Sequence, residues 1–121
     1  IAIANPAHAP YGMAAREALQ TSGLWDQLQP RLVYGENVRQ ALQFAESGNA
    51  DVALTAWSLV FDRGGVLVAD GIHGPIRQTG GALASSKRPE LAREFLSFLK
   101  GPAGREVLAS HGLSIPGSGP S

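Results

Sequence analysis

Cysteine is absent from the 121 residues, which removes disulfides, thiolate zinc sites and thiol nucleophiles together and leaves the redox compartment open. Net charge is absent as well. Ten Lys plus Arg balance ten Asp plus Glu, so no overall field draws in nucleic acid or an acidic membrane surface, and a small anion has to be recognised locally. No apolar run approaches the roughly 20 residues of a membrane helix, and the opening Ile1-Ala2-Ile3-Ala4 carries no basic signal-peptide front. The common catalytic signatures are missing: there is no G-x-S-x-G elbow, no P-loop pattern and no G-x-G-x-x-G after a strand candidate. His8, His73 and His111 are the only imidazoles and stand far apart, without an HxxxH or His-carboxylate cluster. They read as polar surface residues, and no metal site is expected. Glu36, Asp62 and Asp70 are dispersed, so no acid/base pair stands out.

The chain does have enough apolar material, 44% of its residues, for one compact domain that buries roughly two-thirds of its unfolded surface. Residues 1–4 read as a short buried strand ended by Asn5-Pro6, followed by a helix over 11–22 that Gly23 stops. Leu24-Trp25 and Leu28 suggest an anchoring turn closed by Pro30, and residues 31–34 a second strand. Val38, Ala41, Leu42 and Ala45 recur at helical spacing behind Asn37, and Gly48-Asn49 ends that helix before a strand at 52–55. Ser58 reads as the cap of a short turn through Phe61, residues 66–69 as a further strand, and 76–84, with Gly80-Gly81, as an extended connection. Pro89 opens a helix with Leu91, Phe95, Phe98 and Leu99 on its apolar side, and Pro102 opens another ending near Gly112. The Gly/Ser/Pro run at 117–121 is expected to be a disordered tail. Apolar strands alternating with amphipathic helices predict an α/β fold with a mainly parallel sheet flanked by helices. A strand starting at residue 1 is expected to continue a longer polypeptide.

Two helix openings carry the functional signal: Ala9-Pro10-Tyr11-Gly12 and Gly35-Glu36-Asn37-Val38-Arg39. The first turn of a helix leaves up to about four amides without intrahelical acceptors, and the peptide dipoles add roughly half a positive charge there. An oxyanion can be held at such a place with no Lys or Arg. Pro10 sets φ at the entry of the first opening and Gly12 leaves room for close approach, while Asn37 is a good N-cap for the second. Each is also how an ordinary helix begins. Arg39 is placed to reach an anion or to stand solvated on the first turn; Trp25 and Trp57 could stack on a ligand or anchor the core.

Taken in order, Asn5-Pro6-x-His8-x-Pro10-x-Gly12, Arg16-Glu17-Ala18-Leu19, Gly23-Leu24-Trp25, Glu36-Asn37-Val38-Arg39-Gln40-Ala41-Leu42, Ala50-Asp51-Val52-Ala53-Leu54 and Phe95-Leu96-x-Phe98-Leu99-Lys100-Gly101-Pro102 resemble the periplasmic molybdate-binding protein of bacterial ABC importers. The resemblance runs from residue 1 to about 116. It implies a lobe of the type II periplasmic-binding-protein kind: residues 1–84 as the second of two lobes, with hinge strands at 1–4 and 78–84, and 85–116 as C-terminal helices returning toward the first lobe. It further implies a periplasmic location, a membrane permease as partner, no cofactor and no enzymatic activity. The implied ligand is molybdate or tungstate, held by the backbone amides of Tyr11 and Val38. Gly12, Asn37, Arg39, Ala56 and Trp57 would form the pocket wall. Some family members place a tyrosine hydroxyl where Ala56 stands, and its loss here leaves that part of the wall to Tyr11 or Trp57.

Other readings compete with this one. A two-lobe fold also serves importers of sulfate, phosphate or organic ligands, and the effector lobes of transcription regulators. A serine hydrolase built on Ser58 and a histidine belongs to a different class. Lobe-interface surface left exposed could drive self-association, by exchange of the C-terminal helices.

Overall fold

The computed structural model describes residues 1–114 and divides into two units, Ile1–Ile76 and Arg77–Ser121. The first unit holds β1 (Ala2–Ala4), α1 (Pro10–Thr21), α2 (Trp25–Leu28), a 3-10 turn (Gln29–Arg31), β2 (Val33–Gly35), α3 (Val38–Glu46), β3 (Ala53–Leu54) and α4 (Trp57–Val60). Its sheet has the order β2-β1-β3 and every pairing is parallel, as the alternation of apolar strands and helices predicts. Ala2, Ile3 and Ala4 pair with Val33, Tyr34 and Gly35, and Ala2 and Ile3 pair with Ala53 and Leu54. The ladder runs one residue past β1, where the Asn5 amide donates to the Gly35 carbonyl at 2.7 Å.

The central strand is fully buried, with Ile3 at 0% exposure; removing such a side chain from water is worth about 1.5–3 kcal/mol. Ala2 packs with Ala41 and Ala50, flanked by Phe44 and Ala53, on the α3 side of the sheet. Ile3 points to the other face, because successive strand side chains alternate. There α1 packs on β1 and buries Gly12, Ala15, Ala18 and Leu19. The step from β1 to β2 and the step back across β1 to β3 run in opposite directions. Right-handed crossovers therefore put α1 and α3 on opposite faces. Seven of the nine buried apolar residues are alanines, so the helices lie close to the sheet but remove little apolar area per residue from water.

Gly12 shows how close that approach is. A Cβ there would overlap the Ala4 carbonyl oxygen and lie 2.7 Å from the Ala4 carbonyl carbon and 2.9 Å from that of Asn5. The missing side chain makes room for the end of β1. At the end of β2, a Cβ on Gly35 would come within 2.9 Å of the Ala41 amide nitrogen and 3.3 Å of the Gln40 Cβ.

Several expectations change. Arg31 lies in the 3-10 turn and not in β2, because the fixed φ of Pro30 suits that turn. Residues 66–69 form no strand, and Val66 is 89% exposed. Nor do residues 78–84, expected as a hinge strand, form one. An extended apolar segment becomes a strand only when a neighbour supplies its ladder, and no further strand is present among the described residues. Ser58 does not cap α4; Ala56 holds the N-cap position without a side-chain bond, and Ser58 lies inside the helix. Trp25 and Trp57 are half-buried, the latter with its ring 6.4 Å from that of Phe61. The second unit begins at residue 77, whereas the expected division fell after 84. The expected tail at 117–121 lies outside the described residues.

The second unit is built on α5 (Pro89–Lys100) and α6 (Pro102–Ser110), joined through Gly101 alone. Gly104 lets them meet: a Cβ there would overlap the Phe98 carbonyl and lie 2.5 Å from the Leu99 Cα. Arg105 Nε donates to the Lys100 carbonyl at 2.7 Å and closes the end of α5. Leu91, Phe95 and Phe98, at i, i+4 and i+7 of α5, are more than half exposed, as is Val107 of α6.

Replacing Gly12 by Ala drives a methyl group into the β1 backbone, which side-chain rotation cannot relieve. The expected loss in urea unfolding is about 2–3 kcal/mol; a loss below about 0.5 kcal/mol, the range of neutral surface changes, contradicts the seating of α1 on β1.

Candidate functional site

The C-terminal ends of β1 and β2 lie side by side, because Ala4 pairs with Gly35. The chain leaves the first toward α1 and the second toward α3, helices on opposite sheet faces. In open parallel sheets ligands sit outside the carboxyl ends of the strands, with the switch point of a 2-1-3 order between β1 and β3; the ends of β1 and β2 lie on that carboxyl edge. Both helix openings singled out in the sequence therefore arise at neighbouring strand ends.

Asn5 organises the first connection. Its amide joins the ladder, its Oδ1 accepts from the Ala7 amide at 2.9 Å, and its carbonyl accepts from the Ala9 amide at 2.9 Å and the His8 amide at 3.3 Å. Ala9 is the N-cap of α1 in an extended conformation with no side-chain bond, and Pro10 brings no N–H, so the first amides of this turn are those of Tyr11 and Gly12. No acidic side chain occupies that turn to compete for an anion.

The second opening is more elaborate. Asn37 caps α3 as expected, its Oδ1 accepting from the Gln40 amide at 2.9 Å, while Gln40 Oε1 reaches back to accept from the Glu36 amide at 2.7 Å. This is a capping box displaced by one residue, since the returning side chain takes the amide before the N-cap. Ala41 donates to the Asn37 carbonyl at 3.1 Å. Thr55, just beyond β3, donates from Oγ1 to the Val38 carbonyl at 2.8 Å. The Val38 and Arg39 amides have no acceptor among the described residues, and they head a helix dipole.

Of the expected site residues, Tyr11, Gly12, Asn37, Val38 and Arg39 lie at the two openings at the end of the β1–β2 pair, while Ala56 and Trp57 follow β3 on the other side of β1. Ala56 is buried, and Asn37 and Arg39 are exposed. Asn5, Gln40 and Thr55 were not picked out as part of the site. The first two had local signals, an Asn before a proline turn and a Gln three residues after an Asn cap. Thr55 had none, because its partner is 17 residues away. Among the described residues no group of three or more His, Cys, Asp or Glu could hold a metal. None of the three histidines is hydrogen-bonded to Ser58 there, so the hydrolase reading gains no support. Among the described residues no helix is long and apolar enough to cross a membrane.

The first unit is thus a parallel α/β lobe with two helix openings at the carboxyl edge of its sheet, and comparison with known proteins gives its family. The chain belongs to the bacterial extracellular solute-binding protein family, whose model matches residues 1–114. It is 37% identical over 115 residues to the molybdate-binding protein ModA of Rhodobacter capsulatus, covering 93% of this chain and 46% of that protein. With ModA of Azotobacter vinelandii it is 35% identical over 121 residues, covering 95% and 48% respectively. The solved periplasmic molybdate-binding protein of Azotobacter vinelandii superposes with a TM-score of 0.81 at 30% identity, over 95% of this chain and 53% of that one. The fold is thus that of a periplasmic binding protein, and the chain spans about half the length of the curated relatives it matches.

Asn37→Ala removes the acceptor for the Gln40 amide and is expected to destabilise the chain by about 1 kcal/mol in urea unfolding, with Asn37→Asp close to the parent. Equal stability of all three proteins would show that the cap does not hold α3 in place.

Proposed function

We propose that this chain forms one half of an oxyanion site in the binding component of a bacterial ABC importer, and that the oxyanion is molybdate or tungstate. The observation that carries this reading is its similarity, over nearly its whole length, to proteins named as molybdate-binding. The geometry supplies a means. The amides of Tyr11 and Val38, at helix openings beyond adjacent strand ends, are this half's donors, and Gly12, Asn37, Arg39, Ala56 and Trp57 form the wall around them. A hydrogen bond to a charged acceptor is worth about 1.5–3 kcal/mol, so two amides make only part of a tight site. The remaining donors belong to a second lobe outside this chain.

In this reading residues 1–4 and 78–84 connect the lobes, and the helices of residues 85–116 return toward the other lobe. Closure over the anion creates the shape that a membrane permease in the inner membrane recognises from the periplasmic side. The exposed stripe of Leu91, Phe95, Phe98 and Val107 then finds cover in the complete protein, or, in this chain alone, against a second copy. Charge cannot separate molybdate from sulfate, since both are tetrahedral dianions. Size can: donors held rigidly at the spacing of the larger ion leave gaps around the smaller one, and each stretched bond weakens.

Calorimetry on the full-length gene product is expected to rank molybdate and tungstate well above sulfate and phosphate. Equal affinities would remove the size argument, and no binding of any of them at millimolar concentration would end the proposal. Val38→Pro deletes one donor at the first helical position, where proline is tolerated, and Asn37 at φ −152°, ψ 174° already has the backbone that precedes a proline. Molybdate affinity should fall about 10- to 100-fold with the fold intact; an unchanged affinity takes Val38 out of the site.

A further inference from the structure

The hydroxyl of Thr55 forms a part-buried 2.8 Å bond to the Val38 carbonyl across 17 residues of sequence, and helix geometry already directs the Leu42 amide to that same oxygen. We propose that Thr55 is a positioning residue for the anion site: it holds the first peptide unit of α3 so that its N–H end stays aimed into the crevice. This inference rests on the functional reading above and adds the Arg39 amide, beside that of Val38, to its donors. The peptide whose C=O accepts from Thr55 is the one whose N–H belongs to Arg39, and the two groups point in opposite directions across a trans peptide plane. A hydroxyl pulling on the carbonyl end fixes that plane and polarises the N–H end into a stronger donor.

The surrounding bonds leave this peptide in particular need of such an anchor. Gln40 is engaged twice, its amide with Asn37 Oδ1 and its Oε1 with the Glu36 amide, and the Asn37 carbonyl takes the Ala41 amide. These bonds fix the chain on either side of Val38 and leave the amides of Val38 and Arg39 for a ligand. Thr55 supplies a side-chain contact from another element, tying the end of β3 to the start of α3. Discrimination by size requires donors that do not follow a smaller anion inward, and a tether from the sheet provides that resistance where a helix cap alone does not.

The test compares Thr55→Val, which keeps the branched shape and removes the hydroxyl, with Thr55→Ser, which keeps the hydroxyl, in the full-length gene product labelled with 15N and titrated with sodium molybdate. Thr55→Val is expected to weaken molybdate binding about five- to tenfold and to move the Arg39 amide proton upfield in the ligand-free protein; Thr55→Ser restores both. A purely structural role lowers the melting temperature of Thr55→Val and leaves the affinity unchanged, and that result overturns the inference, as does a Ser variant that behaves like Val. If the parent protein itself ignores molybdate, the functional reading falls on that ground. The Arg39 shift in the ligand-free proteins then decides separately: movement in Val but not in Ser supports the tether, and no movement overturns it.

Discussion

Backbone lying directly against backbone, at the places where two strands end and two helices begin, is the constraint on which the rest of this molecule depends. At Gly12 the first turn of α1 sits on the carbonyl of Ala4, and at Gly35 the end of β2 sits under the first turn of α3. Neither approach leaves room for a Cβ. The alanine-rich layers continue the same arrangement away from the strand ends, with Ala2 against Ala41 and Ala50. Helices brought this near to a sheet deliver their first amides beside the strand ends rather than a side chain's length away, which is what a site made of main-chain donors requires.

In the proposed function a chain with balanced charge holds its dianion at helix openings rather than at a cluster of cationic side chains. The caps are economical in a specific sense. Asn37 and Gln40 satisfy each other and Glu36, while the amides between them keep their donor capacity. A full set of caps would stabilise α3 and close the site. The incomplete one leaves two amides at the head of the helix dipole, where the proposed anion would bind.

Much of the fold was legible because its signals are local. Proline at the first position of α1, α5 and α6, glycine after α1 and α3, and the Asn37 cap each act within one or two turns, and the structure places the helices where those residues predict. Residues 66–69 failed for a physical reason: Val66-Leu67-Val68 has strand propensity, but propensity expresses fit to a neighbour, and no strand pairs with them among the described residues. Ser58 failed because the position of a cap depends on where the preceding strand releases the chain. At the site, the two openings were legible as helix starts, whereas the close approach of Gly12 to the end of β1 was not.

From the sequence by itself follow the succession of strands and helices, the parallel α/β class and the two openings with amide donors, since all of these arise from rotations and hydrogen bonds among residues a few positions apart. The tertiary structure alone decided that β1 lies between β2 and β3, that the two openings therefore share one end of one strand pair, and that Thr55 reaches Val38. Strand order and a bond across 17 residues depend on which surfaces bury against one another when the chain closes. No local pattern of residue types carries that information.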